Sequence, residues 1–158
     1  MTDKQSAVQH NANYSSFWSR LGSYVVDGLI LSAIISVLET IGIFSLMGIS
    51  FDPAKLSDPN YSMADNSGYM FITLIISILY YSILQSSKWQ ATVGKKLFNN
   101  KVTSVNGERI SFLTAVIRHI SMIFLSSLMF IGYIMYFFTK KKQTLHDKIA
   151  KTVVVKAQ

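Results

Sequence analysis

Apolar runs of membrane length alternate with short charged stretches along this chain. The first run, Leu21 to Leu38, contains a single charge, Asp27, and is bounded by Arg20 and Glu39. Its eighteen residues would extend about 27 Å as a helix, near the thickness of a bilayer's hydrocarbon core. The pattern predicts a first helix from about Ser16 to Met47 that leaves the hydrocarbon at Glu39. Tyr14, Phe17 and Trp18 open it, aromatic residues favoured at a membrane interface. Residues 1–13 are polar and read as a tail; residues 14–156 read as one membrane domain. A second uncharged run, about Tyr69 to Leu84, predicts a second helix. Its apolar core is short, so polar flanks reaching Ser87, or local thinning, must complete the span. Between the two, Gly48 to Gly68 carries Asp52, Asp58 and Asp65 against Lys55, a balance of −2. With Pro53 and Pro59 it reads as an irregular external loop.

The next stretch has Lys88, Lys95, Lys96, Lys101 and Arg109 against Glu108, a balance of +4. Positive charge marks the cytoplasmic side, which places the acidic loop outside and the N-terminus in the cytoplasm. Within this stretch Asn106-Gly107 separates Lys101–Val105 from Glu108–Phe112. Asn-Gly between two β-favouring runs predicts a hairpin with positive φ at both turn residues. Thr152–Val155 is available as a third strand. The third apolar region, Phe112 to Thr139, is followed by Lys140, Lys141, Lys142, Lys148, Lys151 and Lys156 against Asp147, a balance of +5. A single crossing would put one strongly basic segment outside, and 28 residues cannot cross twice. A re-entrant or interfacial helical hairpin broken near Gly132 meets both constraints, with the C-terminus cytoplasmic; a single span is the alternative. Polar backbone at its tip would need protein or water partners. The expected fold class is an all-α membrane protein with two transmembrane helices, a third re-entrant or spanning helical segment, and a small cytoplasmic β-hairpin.

Composition agrees with this class. Half of the residues are apolar and 15% are charged, the balance of a membrane protein. The net charge of +7 does not indicate nucleic acid, because the lysines flank the apolar runs and no recognition helix or aromatic-basic motif is present. Without cysteine there is no disulfide framework and no thiol chemistry. The polar N-terminal stretch lacks a basic n-region and no cleavage site follows the apolar run, so the first helix reads as an uncleaved anchor.

Asp27 is the position that most demands explanation. A carboxylate at membrane depth costs about 2.5–3.5 kcal/mol or more, and a chain seldom retains that cost without a use for the charge. The use is either a polar pathway or a structural ion pair. Arg20 lies seven residues earlier on the same helix face, about 10 Å away along the axis, so each residue needs a partner from elsewhere. The available charges are Arg118, His119, His146, Asp147 and the lysines. The expected pairing is Arg20 with Asp147 near the cytoplasmic interface and Asp27 with Arg118 deeper in, with an exchange of partners as the alternative. His119 and His146 are candidate proton relays near neutral pH, set against an interfacial and a tail position. No histidine spacing fits a metal, the carboxylates are scattered, and no metal or cofactor is expected. Gly94-Lys95 fails as a phosphate loop, since Trp89 occupies the position of the first glycine and Lys96 that of the Ser or Thr. No nucleophile–base pair appears, so the chain is not expected to be an enzyme.

Arg20 at the start of the first helix, Asp27 within it, and Leu145-His146-Asp147 near the C-terminus resemble the hallmark positions of the RDD family of membrane proteins. A second block is similar too: Thr92-Val-Gly-Lys-Lys-Leu97, Lys101-Val102, Asn106-Gly107 and Ile117-Arg118. Val93 stands where the family usually has proline. The resemblance spans about residues 14 to 156. It implies a multi-pass protein of a bacterial cytoplasmic (inner) membrane, transport-type or transport-associated, with cation/proton exchange in some members and a role as part of larger membrane complexes in others. The leading expectation is therefore a transport-type protein whose charge site comprises Arg20, Asp27, Asp147, Arg118, His146 and His119. Two spans and a re-entrant segment enclose little volume, so a homo-oligomer or a membrane-protein partner is expected, within the lipid bilayer and without nucleic acid. The alternative is a non-transporting accessory or scaffold subunit. A water-filled cavity at Asp27 would favour transport; a dry, fully partnered Asp27 would favour the scaffold.

Overall fold

A computed structural model of the chain describes residues 13–49, 51–53, 57–58, 60, 62, 66–126, 131–139 and 141–157. The chain forms two compact units, residues 1–27 with 78–158, and residues 28–77. Two long helices, α1 (Phe17–Thr40) and α3 (Ser67–Ser86), meet the length and apolarity needed to cross a membrane. Only 17% and 11% of their apolar windows are buried, whereas a core helix of a soluble protein would bury such a stripe. Leu29, Val37, Phe71 and Ile83 are among the exposed apolar side chains.

α1 stops seven residues short of the expected Met47. Gly42 adopts φ +79°, a left-handed conformation that glycine reaches without Cβ strain, and a short helix, α2 (Ile43–Leu46), follows it. α3 matches its predicted extent, including the polar flank. In the unit of residues 28–77, Tyr69 stacks on Phe51 with ring centroids 4.9 Å apart and meets Phe44 at a tilt, 5.3 Å away.

The unit of residues 1–27 and 78–158 adds α4 (Val93–Leu97), β1 (Asn100–Ser104), α5 (Phe112–Ser126), α6 (Ile131–Phe138), α7 (Leu145–Ile149) and β2 (Thr152–Lys156). The expected hairpin is not formed. β1 pairs antiparallel with β2, in a register running from Asn100 opposite Lys156 to Ser104 opposite Thr152. The chain does reverse at Asn106-Gly107, where the Gly107 amide donates to the Ser104 carbonyl at 3.0 Å. Only Gly107 has positive φ, at +85°. Glu108 still answers Ser104 across the turn, its carbonyl accepting the Ser104 amide at 2.8 Å, but residues 109–111 form no strand because a helix start competes for them. The Ser111 hydroxyl accepts the Thr114 amide at 3.1 Å, an N-cap for α5, and Ile110 turns into a small core with Val102, Ala115 and Val154. The vacant edge goes to the β-branched run at Thr152–Val155, which becomes the partner strand rather than a third one. On the far side of β2, the Ser15 amide donates to the Val154 carbonyl at 3.0 Å and the Lys156 amide to the Asn13 carbonyl at 2.8 Å.

The third apolar region forms α5 and α6, which pack against each other and against α7. Gly132, expected at the break, lies in the first turn of α6; residues 127–130 and Lys140 lie outside the described residues. α5 would extend about 22 Å, short of a full span. It is two-faced: Phe112, Leu113, Ile117 and Phe124 are exposed, while Ala115, Arg118 and His119 are buried.

Candidate functional site

Two carboxylates, Asp27 and Asp147, are each 0% exposed. A buried charge is tolerated only where partners replace water, and the two are satisfied in different ways.

Asp147 sits in the first turn of α7, where its Oδ2 accepts the Thr144 amide at 3.3 Å. The same oxygen accepts Arg20 Nη1 at 2.7 Å. Oδ1 accepts Arg118 Nε at 2.9 Å and Nη2 at 2.7 Å. One carboxylate therefore ties α1, α5 and α7 together through two guanidinium groups, whose planar forks suit such a shared acceptor. Two further donors are also placed: Arg20 Nη2 donates to the Val154 carbonyl at 3.3 Å, and Arg118 Nη1 to Gln85 Oε1, while the buried Arg20 Nε has no hydrogen-bond partner. Arg20 also lies over the Tyr136 ring, 5.2 Å from its centroid. Burial by itself would raise the Asp147 pKa, but Arg118 and Arg20 outweigh it and hold the group well below the usual carboxylate range.

Asp27 has no arginine. Its Oδ1 accepts the Gly94 amide at 2.8 Å and the Tyr80 hydroxyl at 2.9 Å, and its Oδ2 accepts the Thr92 hydroxyl. Thr92 is the N-cap of α4, and its oxygen also accepts the Lys95 amide at 3.4 Å. The carboxylate thus closes the N-terminal end of α4, where free amides and the positive end of the dipole favour an anion. Gly94 makes this approach possible. A Cβ there would lie 2.2 Å from the Ser23 carbonyl oxygen and 2.9 Å from Asp27 Cγ.

The expected contact of Arg20 with Asp147 is present. The expected contact of Asp27 with Arg118 is not: α5 packs on α7 and delivers Arg118 to Asp147, while Asp27 is met by the loop before α4. His146 Nε2 lies 2.8 Å from the Thr144 hydroxyl and 3.7 Å from Asp147 Oδ1. Burial, with Arg118 and Arg20 nearby, lowers its pKa to about 3, so it is neutral at physiological pH. His119 is buried and stacks on Tyr81 at 4.2 Å. Among the described residues, no group of three or more His, Asp or Glu could hold a metal ion.

Sequence reasoning noted Thr92, Gly94 and Lys95 only within a block resembling the family, not as site residues, and missed Tyr80 and Gln85. The signal for the first two was a Thr three residues before Lys95, an N-cap pattern. Lys95 is buried, with its ammonium 5.5 Å from the Tyr81 ring centroid. Burial, reinforced by Arg118, lowers its pKa from 10.5 to about 8. The folded protein therefore releases this proton at lower pH than the unfolded chain. The buried ammonium destabilises fully below pH 8, and the penalty fades as pH rises towards 10.5. Lys95→Met should be more stable than wild type at pH 7 in thermal unfolding, and the difference should close by pH 10.5. A pH-independent difference would show that the charge is not its source.

These features define a mostly helical protein with two candidate membrane-spanning helices, a small two-stranded sheet and a sealed arginine–carboxylate core. The RDD family model matches residues 14–151, and the chain belongs to this family. It is similar to three Bacillus subtilis (strain 168) proteins. The uncharacterized protein YxaI is 34% identical over 146 residues, covering 89% of this chain and 96% of that protein. The uncharacterized membrane protein YteJ is 29% identical over 143 residues, covering 90% and 80%. The uncharacterized protein YckC is 29% identical over 149 residues, covering 90% and 85%. No solved structure matches the chain.

Proposed function

We propose that this protein is a multi-pass scaffold or accessory subunit of a bacterial cytoplasmic membrane, whose charged core locks its helices to a cytoplasmic cap. The observation that carries this is the closure of both carboxylates. Asp27 and Asp147 are wholly buried, and each is held by fixed donors, which come from four helices and the loop before α4. A transport site needs a charge that meets water or cargo in turn; here the charge is spent on internal bonds. The orientation follows from the basic segments, with both termini cytoplasmic. α5 and α6 form a re-entrant or interfacial pair, with the apolar face of α5 towards lipid. The work of such a protein is done with partners: further copies of itself or another membrane protein.

Lys95 favours the second reading, cation/proton exchange. It is a buried amine near neutral in pKa, within the electrostatic field of Asp27 and Asp147.

Flux in proteoliposomes under an imposed sodium or proton gradient separates the two. A scaffold shows no flux, and Asp27→Asn should cost about 1.5–3 kcal/mol of stability through weakened charge-assisted hydrogen bonds. Flux in the wild type that disappears in a well-folded Asp27→Asn protein would establish the exchanger instead.

A further inference from the structure

The unit of residues 28–77 contains a feature that the buried core does not use. A cleft of about 340 Å³ is lined by Ser32, Ile35, Ser36, Glu39, Tyr69 and Thr73. Ser32, Ser36 and Glu39 recur at helical spacing on α1, and Tyr69 and Thr73 at one-turn spacing on α3. They form a polar seam on two otherwise apolar helices. Ser32, Ser36 and Glu39 are exposed, with Glu39 at the end of the apolar run, where a charge meets the membrane interface. Among the described residues, no basic side chain forms an ion pair with Glu39. The seam therefore presents one negative charge, several hydroxyls and an aromatic ring, a lining suited to a cation.

We propose that this cleft binds an organic ammonium group, either a free compound or the headgroup of a lipid. Glu39 would supply the counter-charge, and the Tyr69 side chain, which lines the cleft, an aromatic wall beside it. That ring is held in place by Phe44 and Phe51. The hydroxyls of Ser32, Ser36 and Thr73 would meet polar substituents on the ligand. The volume fits a small organic group and is too roomy for a bare inorganic ion, which needs oxygen ligands within about 2.6 Å on every side. The cleft shares no residue with the Asp27 and Asp147 sites, so it stands whether or not the protein is a scaffold.

Choline is the probe, titrated by calorimetry into wild-type protein in nanodiscs of phosphatidylglycerol. Wild type should bind it, and Glu39→Gln and Tyr69→Leu should each weaken binding by about tenfold or more. Glu39→Gln is near-isosteric at an exposed position, and gel filtration with a thermal melt verifies its fold. No binding by wild type, equal affinity in wild type and Glu39→Gln, or displacement of choline by an equal concentration of sodium would each overturn the proposal. Native mass spectrometry from nanodiscs containing phosphatidylethanolamine then assigns the source. A retained lipid adduct that Glu39→Gln loses identifies the headgroup; choline binding without an adduct identifies a free compound.

Discussion

Asp147→Ala should remove about 3–5 kcal/mol of stability, the usual result of stripping a counter-charge from buried partners. The loss should be read as a lowered melting temperature and a poor yield of monodisperse protein in detergent. The reason is specific: the guanidinium groups of Arg20 and Arg118 converge on one carboxylate, and without it two buried cations face each other. Adding Arg20→Ala to Asp147→Ala should restore part of the loss, because one stranded charge goes with it. Strict additivity of the two single changes would show that the pair does not interact. Since the folded carboxyl titrates below its ordinary 3.8, its stabilisation is complete above that pH and is lost progressively as the solution is acidified below it.

Gly94→Ala should be nearly as damaging, although it adds a single methyl group. Both neighbours of the added atom are constrained. The Ser23 carbonyl oxygen, 2.2 Å away, belongs to the α1 backbone, and the Asp27 carboxyl, 2.9 Å away, is held by three donors. α4 must retreat, which lengthens the bond from the Gly94 amide to Asp27 and strains the Thr92 cap. Overpacking and an under-satisfied buried carboxylate together should cost about 3 kcal/mol or more. Gly28→Ala is the matched control. Its added methyl group would meet nothing within 4 Å, and alanine favours the helix, so its unfolding curve should overlay or exceed the wild type's. Equal stability of the two variants would dissolve the case for a close approach at Gly94.

The long helices were legible because charges bound them: Arg20 and Glu39 frame the apolar run of α1, and α3 has none. The contact between Arg20 and Asp147 was legible by scarcity, since few opposite charges exist to answer a buried arginine. Where Arg118 goes was not legible. Two buried acids compete for it, and the choice is made by helix packing between α5 and α7, which no local pattern encodes. The donors to Asp27 were hidden for a related reason. A backbone amide has no signature in the side-chain alphabet, and Gly94 contributes only by having no side chain. The hairpin failed on a competition between neighbours: Ser111 as a helix cap outweighed the strand tendency of Glu108–Phe112. The pairing of β1 with β2 then depended on segments far apart in sequence. The histidines looked titratable on paper, but burial among cations keeps His146 neutral.

The two carboxylate sites also differ in when they can be completed during translation. Thr92 follows Asp27 by 65 residues, and Asp147 follows Arg20 by 127. At about 5–20 residues per second, the ribosome supplies Asp147 roughly 6–25 s after Arg20. The Asp27 clamp can form while the chain is still being synthesised. Arg20 and Arg118 must meanwhile wait, hydrated or held by a chaperone, until the final helix emerges. The arginine core is thus the last part of the site to close: a chain that ends before Asp147 leaves the Arg20 and Arg118 guanidinium groups without their shared carboxylate.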